Sequence, residues 1–86
     1  MLDIEVNDLF VLAFSEPSRW SIFKKSYGDD CLIQKNKVFL ICSIGYEANG
    51  YIKCKILYDK GLYTFGIPDY CHDKFVKQFS RVNKRC

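Results

Sequence analysis

The sequence predicts an α+β domain: a four-stranded antiparallel β-meander with two short N-terminal helices and one C-terminal amphipathic helix. Three observations predict it. Ile52, Cys54, Ile56 and Tyr58 alternate with Lys53 and Lys55, the period-two pattern of a half-buried strand. Asn49-Gly50 before that strand and Asp59-Lys60-Gly61 after it carry hairpin-turn chemistry. Cys71, Phe75, Phe79 and Val82 recur at helical spacing after Pro68-Asp69, so they form one apolar stripe on a final helix.

Taken in chain order, Asn7-Asp8 reads as an N-cap with an acid in the first turn, which complements a helix dipole. Leu9 through Phe14 is then a short, largely buried helix, with a strand as the rival because a brief apolar run does not settle its period. Glu16-Pro17 breaks it, and Pro17 suits the first turn of a second helix. That helix places Trp20, Phe23 and Tyr27 on one face, turns Lys24-Lys25 outward, and ends at Gly28. Strand signals follow. Cys31-Leu32-Ile33 is short, and Lys35-Asn36-Lys37 is a polar turn. Val38 to Ile44 is a continuous apolar run, the mark of a strand covered on both faces. Asn49-Gly50 predicts a type I′ turn, which sets Cys42 opposite Leu57 and Cys54 opposite Gly45. Asp59-Lys60-Gly61 suits a type I turn with Gly61 left-handed, leading into Leu62-Tyr63-Thr64-Phe65. A helix from Asp69 to Val82 closes the chain. Trp20, Phe39, Ile41, Ile56, Phe75 and Phe79 lie on the apolar sides of separate elements and are the expected core.

Composition supports a single domain, residues 1–86, with a real interior: 49% of residues are hydrophobic and 16% aromatic, well away from disorder. The formal charge of +3 is small but unevenly placed. Asp3, Glu5, Asp8 and Glu16 face only Arg19 in the first 23 residues, whereas Lys74, Lys77, Arg81, Lys84 and Arg85 outnumber Asp69 and Asp73 at the other end. That dipolar distribution suits steered association with a charged partner. It falls short of the overall basicity of an obligate nucleic-acid binder.

No stretch reaches the roughly 18 apolar residues that cross a bilayer, so no membrane association is expected. The acidic opening Met1-Leu2-Asp3-Ile4-Glu5 is unlike a signal peptide. Five cysteines without paired spacing read as reduced thiols, and the expected location is the cytoplasm. Residues with AT-rich codons (Phe, Tyr, Met, Ile, Asn, Lys) number 36 against 12 for Gly, Ala, Arg and Pro, a bias that points to an AT-rich genome and is shared by many bacteriophages and mobile elements as well as some bacteria.

Chemistry is harder to find. Cys71-His72 contains the parts of a thiolate–imidazolium pair, but neighbours on a helix point about 100° apart, and Cys71 belongs to the apolar stripe. His72 is the only histidine, which removes most acid–base and metal schemes. Asp29-Asp30 beside Lys24-Lys25 reads as ordinary surface charge, and the five glycines form no phosphate loop. The segment Phe14-Ser15-Glu16-Pro17-Ser18-Arg19-Trp20-Ser21-Ile22-Phe23 resembles the Leu-Ser-Asp-Pro-Thr-Arg opening of arsenical-resistance-type winged-helix repressors. Strand signals from Cys31 leave no room for a recognition helix, so the resemblance stops at that segment.

The expectation is therefore a non-enzymatic interaction protein with no cofactor and no metal. Its partner is another protein, and it would serve as a phage or mobile-element inhibitor of a host factor. Exposed Tyr46, Tyr51, Tyr63 and Tyr70 would be the anchors. The alternative is a nucleic-acid-binding regulator whose last helix lays Lys74, Lys77, Arg81, Lys84 and Arg85 along phosphates. Against both stands a solvated helix face whose cations favour the negative end of its dipole.

Overall fold

Among the described residues, seven strands form one antiparallel sheet, curled into a half-barrel, with one short helix against its inner face. The computed structural model of the protein describes residues 2–13, 20–24 and 30–82. The strands are β1 (Leu9–Leu12), β2 (Ser21–Phe23), β3 (Asp30–Leu32), β4 (Val38–Tyr46), β5 (Ile52–Tyr58), β6 (Gly61–Ile67) and β7 (Phe79–Arg81). They lie in the order β3-β2-β6-β5-β4-β1-β7, which makes β5 the central strand. A 3₁₀ turn (Asp69–Cys71) and helix α1 (His72–Gln78) join β6 to β7.

This overturns the predicted architecture of a four-stranded meander with three helices. The β4-β5-β6 meander is present, but the strand around Cys31 pairs with β2 at the far edge, not with β4. The run after Asp8 is a strand. Phe10 and Leu12 point inward while Leu9 and Val11 are half-buried on the other side, so period two wins over period 3.6. The deciding factor is non-local: β4 offers a ladder to one side of β1 and β7 to the other. Asn7 adopts a left-handed φ of 77°, and the Asp8 carboxylate accepts the Glu5 N–H at 2.9 Å. The predicted N-cap thus closes a turn instead of opening a helix. Ser21–Phe23 is likewise a strand, with Ile22 fully buried and Phe23 pointing away from it. The Glu16-Pro17 break, Tyr27, the Gly28 cap, Asp29, Lys84 and Arg85 lie outside the described residues.

The final helix is shorter than predicted. Pro68, expected to open that helix, precedes a 3₁₀ turn instead, and the backbone turns extended at Phe79 (φ −106°, ψ 144°). Phe79, Ser80 and Arg81 then pair with Leu12, Val11 and Phe10. Phe75 and Phe79 nevertheless stay in contact across the change of backbone, their rings stacked at 4.5 Å. Val82, predicted on that stripe, is exposed.

Two hairpins have exchanged their predicted turn types. In the β4–β5 loop the Gly50 N–H donates to the Glu47 carbonyl at 3.2 Å and only Gly50 is left-handed (φ 82°), the pattern of a three-residue loop. An added Cβ there would also stand 2.7 Å from Asp69 Oδ1. The tight two-residue turn is instead Asp59-Lys60, both left-handed (φ 49° and 65°), between paired Tyr58 and Gly61. The longer loop and an irregularity between Ile41 and Ser43 shift the predicted register: Leu57 faces Leu40, and Cys54 faces Ile44.

All six expected core residues are buried, none more than 6% exposed. They belong to one hydrophobic core with an aromatic centre, in which Trp20 stands edge-on to Phe65, Phe75 and Phe79, while Phe39 meets Phe65 and Phe79 in the same way. The Trp20 Nε1–H donates to Gln78 Oε1 at 2.8 Å, which satisfies the indole N–H and the amide oxygen inside the core.

Candidate functional site: the outer face of the central strands

The antiparallel register places every second residue of the central strands on the outer face, away from the aromatic core. Solvent-facing positions of such a sheet are ordinarily polar. Here Lys53 and Lys55 fit that rule, but the next outward residue of β5, Leu57, does not. Cross-strand pairing puts Leu57 beside Leu40 on one side and Leu62 on the other, and Leu40 beside Leu9. Four leucines therefore form a row across β1, β4, β5 and β6. Leu9 and Leu40 are half-buried, whereas Leu57 is 46% exposed and Leu62 54%. Val38, paired with Val11, widens the row, and Phe23 opposite Thr64 adds an exposed ring on the same face.

One step along the strands the face becomes cationic. Ser43, Lys55 and Thr64 form the next row, followed by Gly45, Lys53 and Gly66. Small residues beside lysines leave a shallow groove of about 400 Å³ over β4 and β5, rimmed by Tyr46 and Glu47. Tyr51 lies across Gly66, where a Cβ would occupy the space of its hydroxyl.

The predicted binding residues do not gather into one site. Tyr46 is exposed at the end of β4, where it lines the outer groove, and Tyr51 is half-buried over Gly66. Tyr63 sits elsewhere, edge-on to Tyr58 with the Lys24 ammonium 5.6 Å from its ring. Tyr70, Lys74 and Lys77 are exposed on the 3₁₀ turn and α1, interspersed with Asp69 and Asp73. Arg81 is committed internally. Its guanidinium donates to the Asp3 carbonyl at 3.0 Å, pairs with Asp3 Oδ2 at 3.3 Å and with buried Asp8 Oδ2 at 3.4 Å, and lies over the Phe10 ring. It fastens the N-terminal segment to edge strand β7.

Among the described residues the thiols and the histidine form no constellation. Cys54 is buried under the sheet, and burial pushes its thiol up to about 11, so it stays neutral at physiological pH. His72 Nδ1 is 4.0 Å from Asp69 Oδ1. Among the described residues no cluster of His, Cys, Asp and Glu suits a metal ion, and no helix is long and apolar enough to cross a membrane.

Compared with protein-family models, with curated proteins and with solved structures, the chain gives no significant match.

The leucine row was missed in the sequence, although two signals for it were present. The run from Val38 to Ile44 reads as a strand covered on both faces, and Leu57 breaks the outward lysine pattern of β5. Pairing Leu57 with Leu40 and Leu62 required the register.

Proposed function

We propose that this chain is a non-enzymatic interaction protein that docks another protein on the outer face of its central strands. One observation carries the reading: β4 is composed like a strand buried on both sides, yet the fold covers only one. Val38, Leu57 and Leu62 remain half-exposed in neighbouring positions, and contiguous apolar surface of this kind on a small domain marks association sites. The central location suits it, since binding energy concentrates in the middle of an interface. The codon-linked composition fits a phage or mobile-element origin, as it fits some bacteria, and inhibition of a host factor in the cytoplasm is part of this proposal.

The nucleic-acid alternative draws less support. Of its five predicted cations, Arg81 is engaged with Asp3 and Asp8, and Lys74 and Lys77 share α1 and the preceding turn with two acids.

Site-specific photo-crosslinking tests the reading in the organism that encodes the chain. A benzophenone side chain at position 57 or 62 is expected to capture one discrete protein, and the same group at Tyr70 or Lys74 is expected to capture none. Capture from the helix positions with silence from the sheet positions would move the interface to α1 and end this proposal.

A further inference from the structure

The geometry points to the kind of partner: we infer that the outer face takes an amphipathic helix with an acidic flank, laid across the strands. The inference rests on the docking face proposed above and adds its chemistry and direction.

The apolar row runs perpendicular to the strands, from Leu9 through Leu40 and Leu57 to Leu62. Adjacent strands lie about 4.8 Å apart, so three steps make a ridge roughly 14 Å long. A helix rises about 5.4 Å per turn, close to one strand spacing, so apolar residues at i, i+3 or i+4, and i+7 meet successive leucines along that ridge. About ten residues, some three turns, span it. An extended peptide would follow a strand edge with its backbone, but this row lies on the face of central strands whose backbone groups are already paired.

Charge selects the flank. Lys55 and Lys53 stand one and two outward positions from Leu57 on β5, so both lie on the same side of the row, roughly 7 Å and 14 Å away. Neither lysine has an ion-pair partner among the described residues, whereas Lys37 at the opposite end is paired with Asp59 at 3.4 Å. Glu47 is the one acid lining the groove. A helix on the leucine row therefore presents one flank to two unpaired ammonium groups, and carboxylates on that flank complement them.

Selection of a displayed library of random 16-residue peptides on the full chain tests this. Enriched peptides are expected to show apolar residues at helical spacing with Asp or Glu along one side. Their binding should vanish on Leu57→Arg, and on Leu62→Arg as an independent check, in variants whose thermal unfolding is unchanged. Lys53→Glu combined with Lys55→Glu should weaken it about tenfold and remove its salt sensitivity. Peptides lost on Leu57→Arg and Leu62→Arg but lacking acids, or indifferent to the double reversal, would overturn the acidic helix and leave the docking face standing. Enrichment indifferent to both leucine variants, or none at all, would overturn the face itself. Salt-sensitive binding of a single-stranded oligonucleotide, abolished by the double reversal, would reassign the lysines to phosphate and overturn the inference.

Discussion

The inner and outer faces of the same strands differ in what their apolar residues do. On β5, Cys54 and Ile56 point inward and are 1% and 0% exposed, while Leu57, between Ile56 and Tyr58, is 46% exposed. On β4, Phe39 and Ile41 meet the aromatic cluster, while Val38 faces outward and is nearly half-exposed. Apolar side chains stand on both sides of these strands, and their environments are opposite. The inner side is close-packed, so each atom there contributes to stability; the outer leucines are only partly shielded by one another. Hydrophobic character alone therefore says little about role. The side of the pleat decides it.

The largest effect should come from the inner face. Phe79→Ala removes a ring that contacts Trp20, Phe39, Phe65 and Phe75, and is expected to destabilise the fold by about 3–5 kcal/mol in chemical denaturation. An unchanged midpoint would mean that β7 does not dock.

A pH titration examines the same face without a cavity. The Cys54 thiol is raised from its ordinary 9.0 to about 11 by burial. Its folded pKa exceeds its unfolded one, so the contribution is complete below pH 9 and is lost as pH rises toward 11, where the unfolded chain already holds a thiolate. The loss should be about 2–3 kcal/mol. It should disappear from the difference between pH 8 and 11 in Cys54→Ala, and an identical pH dependence in the variant would contradict a dry environment at this strand.

At the rim, Arg81→Ala leaves the Asp8 carboxylate buried without its guanidinium and is expected to cost about 2 kcal/mol. Combining it with Asp8→Asn should recover part of that loss in a double-mutant cycle. If Arg81→Ala instead left stability intact, the arginine would return to the pool of available binding cations.

The smallest stability effect belongs to the outer face. Leu57→Ser should change unfolding free energy by no more than about 0.5 kcal/mol while removing partner capture. A large destabilisation would show that Leu57 is packed in the folded chain and erase the contrast between the faces.

Residue identity alone carried much of the interior. Trp20, Phe39, Ile41, Ile56, Phe75 and Phe79 were recognisable as core because burial depends mainly on apolar area, whichever backbone carries it. Strand β4 was legible from its apolar run, β5 from alternation and β6 from the turn residues before it. Tertiary structure alone decided the rest. Leu9–Leu12 and Ser21–Phe23 are too short for period to separate helix from strand, and the ladders of β4, β7, β3 and β6 made the choice. Phe79 left its helical stripe for the same reason: the edge of β1 offered backbone partners that no local pattern reveals. Arg81 looked like free charge because Asp3 and Asp8 lie more than seventy residues away in sequence. The leucine row also exists only through register, since Leu9, Leu40, Leu57 and Leu62 share no spacing along the chain and become neighbours when four strands align.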